Sequence, residues 1–342
     1  MRLAHPNLKL SPPDGERMHT CRICGDAGSK KRYVAREMVQ GTREPFDYLL
    51  CATCGTLYLA DFPADIGKYY ENYYSISSAA KWSPPKTSLN DGQKAACRAS
   101  MIHPSPGSTA MLDATLKIPP YMGFQSLYPL GLRENAAILD VGCGNGFLVQ
   151  ALDRIGFTNV CGCDPFLPWD STFPGGARLL KRYLGDMPGG WDLIMMHHSF
   201  EHVPDPAATA RLVDERLVPG GRCLLRFPNV DSVEFARYGG DWWGIHAPRH
   251  YHIFSRDSLE RVFAGTGMKI EKVWCDSQFD HYLYSYDYSL GLAETDPESI
   301  RQRGIQDDRW PQIEREHIKR NVDWYNEKLI GDWIVYVLRK AS

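Results

Sequence analysis

Residues 138–146 read Ile138-Leu139-Asp140-Val141-Gly142-Cys143-Gly144-Asn145-Gly146, and Phe147, Leu148, Ala151, Leu152 and Ile155 then recur at helical spacing. Ile138 to Val141 predict a short buried strand, the glycines a tight turn, and the residues after them an amphipathic helix. Such a turn lets a ligand approach the main chain closely, beside the positive end of the helix dipole. Val160–Cys163 is a second apolar strand, and it ends at Asp164, 24 residues after Asp140. A carboxylate at that strand end can hold both hydroxyls of a ribose.

Two kinds of ligand bring a ribose to such a loop, dinucleotides and S-adenosylmethionine. The dinucleotide fingerprint G-x-G-x-x-G needs its third glycine at position 147, where Phe147 stands. The spacing is G-x-G-x-G.

The alternation continues downstream. Trp191–Met196 reads as a strand running into His197-His198-Ser199-Phe200-Glu201-His202, after which Asp205 caps a helix opening on Pro206. Pro219-Gly220-Gly221 reads as a turn before strand Cys223–Phe227, and Ser255 as the cap of a further helix. Lys269–Asp276 and Asp332–Arg339 are the last two strands, and the highly charged stretch 294–328 reads as a solvated helical insertion. Strands alternating with helices predict a doubly wound α/β sheet with its ligands at the carboxyl ends of the strands.

The first sixty residues differ in character. Cys21-Arg22-Ile23-Cys24-Gly25 and Cys51-Ala52-Thr53-Cys54-Gly55 are two C-x-x-C-G knuckles separated by 26 residues. Each knuckle places two thiolates on one turn, so together they supply the four soft ligands of a structural zinc ion. Between them, Lys31–Leu50 alternates around Gly41-Thr42 as strand, turn and strand, the pattern of a zinc ribbon. A redox C-x-x-C is the rival, but it needs only one pair. The other six cysteines sit mostly in apolar runs and read as small buried hydrophobes.

Composition sets the outer bounds. The 342 residues carry 39 Lys and Arg against 41 Asp and Glu, a net charge of −2, which argues against a protein devoted to gripping nucleic-acid backbone. Lys30-Lys31-Arg32 is the only basic run of the ribbon and reads as a solvated face. No apolar run is long enough to span a membrane and the N-terminus has no apolar signal core, so a cytoplasmic protein is expected. Three regions follow: 1–60 as the zinc ribbon, 61–120 as a helical and loop linker and substrate cap, and 121–342 as the α/β domain. Within the linker, Tyr69, Tyr70, Tyr73 and Tyr74 share one face of a short helix, suited to core packing or to contact with a sugar. Thr109–Ile118 reads as a helix.

ILDVGCGNG, Asp164, WDLIMMHHSFEHVPDP, LVPGG and PRHYHIFS together resemble the class I S-adenosylmethionine-dependent methyltransferases. The chain is most similar to a bacterial branch found in polysaccharide and deoxysugar pathways, with its C-x-x-C-G…C-x-x-C-G zinc domain and a tyrosine-rich segment like YYENYYS. The resemblance implies a Rossmann-like seven-stranded sheet with an N-terminal zinc ribbon, S-adenosylmethionine as cofactor, and a structural Zn2+ on Cys21, Cys24, Cys51 and Cys54. It places Asp140, Gly142, Cys143, Gly144, Asn145 and Gly146 at the cofactor's methionine end, Asp164 on its ribose, and His198 at the methyl-transfer cleft. In the sugar C-methyltransferases a His-Glu-His triplet precedes an aromatic-Phe-Ser sequence. Here that place reads Pro248-Arg249-His250, and only about 65 residues follow Asp276. Both departures count against carbon as the methylated atom.

A hydroxyl acceptor loses its proton as the new bond forms, and histidine is the natural base near neutral pH. His250, on the loop after the fifth strand, and His202 are the candidates; each can also be read as a packing histidine. Arg249 is suited to an anionic group such as a diphosphate. Trp242-Trp243 can stack on a sugar or base, or close the core. The expected acceptor is a small molecule, a sugar, nucleotide-sugar or glycan intermediate. The alternatives are C- or N-methylation of a small natural-product intermediate, methylation of RNA, and a non-catalytic scaffold.

Overall fold

A computed structural model of the chain describes residues 20–28, 30–70, 88–119, 122–279, 281–304 and 312–342. Tyr73, Tyr74 and the rest of the YYENYYS segment beyond Tyr70 lie outside the described residues, as does part of the 294–328 stretch.

The N-terminal region is a small antiparallel sheet of β1 (Lys30–Arg36), β2 (Pro45–Cys51) and β3 (Leu57–Leu59). β1 pairs with β2 from Lys30 opposite Cys51 to Arg36 opposite Pro45. The turn that joins them is organised by Glu37, which is fully buried. Its carboxylate accepts from the amides of Val39, Gln40 and Thr42 at 2.9–3.1 Å.

Two capped helices follow. α1 (Asp91–Ile102) starts from a capping box between Asn90 and Gln93, and α2 (Pro106–Leu116) from Ser105 with Pro106 in its first turn. The helix expected at Thr109–Ile118 thus begins earlier, because Ser105 satisfies the first free amides, and it stops at Lys117, whose φ of 52° is left-handed.

The large sheet contains β4 (Ile138–Val141), β5 (Val160–Cys163), β6 (Ser171–Thr172), β7 (Arg178–Leu180), β8 (Trp191–His197) and β9 (Leu217–Pro228). After the two-residue strand β10 (His252–Ile253) it is completed by β11 (Met268–Cys275) and β12 (Trp333–Lys340). Its order is β11-β12-β9-β8-β4-β5-β7-β6. The pairs β7–β5, β5–β4, β4–β8 and β8–β9 are parallel, while β12, β11 and β6 run antiparallel to their neighbours.

Eight strands stand where seven were expected. The extra one is the short edge β6, folded onto β7 by a turn at Gly175-Gly176 whose backbone amides at Gly175 and Ala177 bond the Asp153 carboxylate at 3.0 Å. The turn expected at Pro219-Gly220-Gly221 is an irregularity inside β9, where Trp191 faces Leu217 and Leu193 faces Arg222.

Side chains alternate across this sheet with period two. Ile138, Leu193, Met195, Leu224, Val335 and Val337 face one core with Met101, Leu112 and Leu116 of α1 and α2. That core also contains Leu148, Val149 and Leu152 of α3 (Phe147–Arg154). Leu139, Ile194, Met196, Cys223, Leu225 and Tyr336 face the other core. There they meet α4 (Pro206–Arg216), and, beyond α5 (Val233–Tyr238), also α6 (Arg256–Phe263). Covering on both faces is what a largely parallel sheet requires. Among the described residues no helix is long and apolar enough to cross a membrane.

The ribbon's fourth strand comes from far along the chain. β10 pairs with β3, His252 opposite Tyr58 and Ile253 opposite Leu57. The loop between β9 and α6 is therefore tied to the ribbon by shared backbone hydrogen bonds.

Candidate active site and candidate metal centre

The carboxyl ends of β4, β5, β8 and β9 open into a cavity of about 450 Å3, within the usual range for small-molecule sites. The glycine turn after β4 forms its floor. Gly142, Gly144 and Gly146 all have left-handed φ, at 73°, 53° and 75°. A Cβ on Gly142 would stand 2.5 Å from that of Ser199, whose hydroxyl donates to the Val141 carbonyl. Asp164 closes the loop from β5: its carboxylate accepts from the amides of Gly144 at 3.0 Å and Phe166 at 2.8 Å. Burial pushes the Asp164 carboxyl up while those two amides pull it down, and the net shift is upward. Asp140, buried one strand away, is pushed up to about 8 by desolvation and by the neighbouring Asp164 charge.

These features fit the cofactor that the sequence resemblance implies. A buried carboxylate ends β5, and in the loop before α3 a side chain at Gly142 or Gly146 would run into Ser199 or Leu179. Asp140, Gly142, Cys143, Gly144, Asn145, Asp164 and His198 all line the cavity. Gly146 does not; it caps α3 with its missing Cβ against Leu179.

His202 and His250 stand on the opposite wall, with ring centroids 4.7 Å apart. His202 Nδ1 lies 2.9 Å from the Arg249 carbonyl and 3.0 Å from the Tyr70 hydroxyl, and His250 Nδ1 lies 2.8 Å from the Gly244 carbonyl. A carbonyl oxygen only accepts, so each Nδ1 carries the proton and each Nε2 a lone pair. Burial drives His202 down to about 3 and His250 well below the ordinary histidine value, so both rings are neutral.

The rest of the wall escaped the sequence reading. Arg226, near the carboxyl end of β9, donates to Asp276 at 2.7 Å and bonds His198 Nε2 at 2.6 Å, and its guanidinium lies over the Trp333 ring. The available signal was one arginine inside the apolar run Cys223–Phe227. Glu294 and Arg301 also line the cavity, paired at 2.9 Å. They correct the view of 294–328 as solvated. That stretch is helical at α8 (Ile300–Arg303) and α9 (Gln312–Glu327), after α7 (His281–Ser289), yet its first residues are drawn into the cavity wall. Trp242 and Trp243 divide the two roles open to them. Trp242 is buried with its Nε1 on Asp332, and Trp243 lines the cavity with its Nε1 on Glu294. Of the tyrosines, Tyr70 lines the cavity and Tyr69 packs inward with its hydroxyl on Glu44.

Arg249 is not available to a substrate phosphate. It is 0% exposed, it pairs with Glu37 at 2.8 Å, and it donates to the Tyr69 and Ala247 carbonyls. An arginine inside a loop gave no sign of this partner, which lies 212 residues earlier. The same loop is tied to the ribbon elsewhere. Tyr48 donates to the His250 carbonyl at 2.8 Å, the Leu59 amide to the Tyr251 carbonyl at 3.0 Å, and Ser255 to the Cys54 carbonyl at 2.5 Å.

The ligand atoms of Cys21, Cys24, Cys51 and Cys54 lie within 4.8 Å of one another. Sγ of Cys21 is 3.6 Å from that of Cys54, and Sγ of Cys24 is 3.7 Å from that of Cys51. Four sulfurs at about 2.3 Å from a tetrahedral zinc stand about 3.8 Å apart, so the set fits that ion and is far too open for disulfides. Each knuckle closes on its glycine, with Gly25 and Gly55 at φ of 71° and 70° donating to the Cys21 and Cys51 carbonyls.

Residues 118–273 match the sequence profile of the family described as Methyltransferase domain. A ubiquinone biosynthesis O-methyltransferase of Xanthomonas euvesicatoria pv. vesicatoria is 28% identical over 155 residues, 40% of this chain and 64% of that protein. One from Xanthomonas campestris pv. campestris is 33% identical over 139 residues, 36% of this chain and 58% of that protein. The chain thus spans about three fifths of the length of these curated relatives. Among solved structures, the cyclopropane synthase MmaA2 of Mycobacterium tuberculosis overlaps 67% of this chain and 85% of its own, at 20% identity and a TM-score of 0.41. The matched residues 118–273 contain the parallel strands, the glycine loop and the strand-end acid described above, and over that stretch the chain is similar to a methyltransferase domain.

Proposed function

We propose that this chain transfers the methyl group of S-adenosylmethionine to a hydroxyl oxygen of a sugar, nucleotide-sugar or related glycan intermediate. The observation that carries the reading is one cavity with two unlike walls: the glycine loop with buried Asp164, and facing it neutral histidines among aromatic rings. Asp164 would hold the ribose hydroxyls. Gly142, Cys143, Gly144 and Asn145 would take the methionine end, with Asp140 and Gly146 shaping the loop, and His198 would close the methyl-transfer side. The cofactor, when bound, supplies a methyl group already activated on a sulfonium.

The chain's own task is to position the acceptor and exclude water, which contributes about 7–11 kcal/mol in favourable cases. Tyr70 and Trp243 offer flat faces and polar tips suited to a sugar ring. His202 and His250 would ease the loss of the hydroxyl proton as the catalytic residues. Oxygen as the target also agrees with the name of the curated relatives. The aromatic lining supports a second reading, a small planar natural-product intermediate methylated on carbon or nitrogen. A structural Zn2+ on the four cysteines completes the ribbon.

Calorimetric titration with S-adenosylhomocysteine tests the cofactor half of the reading. Asp164→Ala removes hydrogen bonds to a charged group, of which one alone contributes about 1.5–3 kcal/mol, so affinity should fall at least about 10–100-fold. An unchanged affinity would place the nucleoside elsewhere.

A further inference from the structure

Glu201 is fully buried next to the cavity-lining His202 and His250, and neither of its carboxylate oxygens makes a well-formed hydrogen bond to another residue. A carboxylate buried in this way is costly unless it takes up a proton or meets an opposite charge. What surrounds it is a set of donor atoms. One ring nitrogen each of His202 and His250 and a Glu201 oxygen all lie within 4.8 Å of one another, with His250 Nε2 3.8 Å from Oε1. Both rings give their Nδ1 protons to main-chain carbonyls, which fixes each tautomer and leaves Nε2 as the ligating nitrogen. His198 adds an outer partner: its Nδ1 lies 3.3 Å from Glu201 Oε1, while its Nε2 is held by Arg226.

We propose that Glu201, His202 and His250 bind a divalent first-row transition cation, distinct from the zinc assigned to the four cysteines. Two imidazoles and one carboxylate suit manganese, iron, cobalt or zinc, and three protein ligands leave coordination positions open. His202 and His250 line the acceptor wall, so the open positions would take an acceptor oxygen, and a neighbouring oxygen on the same molecule. When bound, the cation would lower the pKa of a coordinated hydroxyl and so ease loss of its proton to solvent as the oxygen takes the methyl group. This inference rests on the reading of the cavity as a methyl-acceptor site and specifies that the two histidines act through the cation.

The test uses the full-length, zinc-loaded protein and Mn2+ as probe, since a manganese ion does not compete for four thiolates. Electron paramagnetic resonance should show about one saturable Mn2+ per chain, and Glu201→Gln and His250→Gln should each weaken it by at least about 10–100-fold. Unchanged zinc content and S-adenosylhomocysteine binding in the same samples establish that the variants fold. Should one variant not fold, His202→Asn replaces it. Absence of saturable Mn2+ binding in the wild type, or equal affinity in the variants, overturns the proposal. Failure of S-adenosylhomocysteine to bind would instead strike at the methyltransferase reading, whatever Mn2+ does.

Discussion

Arg249→Ala is expected to destabilise the protein by about 3–5 kcal/mol, because it leaves the Glu37 carboxylate buried without its cation. The substitution also removes donors to the Tyr69 and Ala247 carbonyls. Urea unfolding checks it; a loss below about 1 kcal/mol, the range of a surface pair, would contradict the burial. Acid should act on the same joint. Burial raises the Glu37 carboxyl, but Arg249 and the amides of the turn lower it further, so its net shift is downward. A depressed carboxylate contributes stability above its unfolded pKa of about 4.3 and loses it as pH falls through the lower folded value. The wild type should therefore weaken below about pH 4.3, and Arg249→Ala should lose much of that acid sensitivity.

Loss of the zinc ion proposed for the four cysteines is expected to abolish methyl transfer while sparing cofactor binding. The small N-terminal sheet has little core of its own, and in such modules the metal's binding energy is folding energy. β3 pairs with β10, and Tyr48 holds the His250 carbonyl, so an unfolded ribbon releases the loop that carries His250. The glycine loop and Asp164 lie on β4 and β5, which pair within the other sheet. A chelator would strip any cation from the acceptor wall as well, so the double variant Cys51→Ser/Cys54→Ser, kept in Mn2+, is the cleaner experiment. Turnover should fall at least about 100-fold, as when a positioning element is lost, with S-adenosylhomocysteine affinity within about threefold of wild type. Retained turnover in a zinc-free variant would show that the ribbon does not position the loop.

The contrast between these two walls also explains what could be read from the sequence. Strand, glycine turn, helix, strand and terminal acid are neighbours in the chain, so local period and turn chemistry suffice to place Asp140, Gly142 and Asp164 at one strand edge. The cysteine knuckles are likewise local. The opposite wall is assembled from Tyr70, Arg226, His250, Glu294 and Trp333, with Glu201 buried next to His250, and these converge only through tertiary packing. Nothing in Pro248-Arg249-His250 announces that Arg249 turns toward Glu37 while His250 faces Glu201. β10 is two residues long and is a strand only because β3 lies beside it. The helix at Asp91–Ile102 has too narrow an apolar face to mark its period in the sequence: only Cys97, Ser100 and Met101 are buried.

The most direct measurement is transfer of a 13C-labelled methyl group from S-adenosylmethionine to a panel of nucleotide-sugars and glycan fragments, with the label located by NMR. The expected result is a labelled methyl ether on one hydroxyl oxygen, formed more slowly by Asp164→Ala at limiting cofactor. A label on carbon or nitrogen would contradict the assignment of the acceptor atom. No transfer to any sugar by a protein that still binds S-adenosylhomocysteine would contradict the acceptor class and favour the natural-product reading.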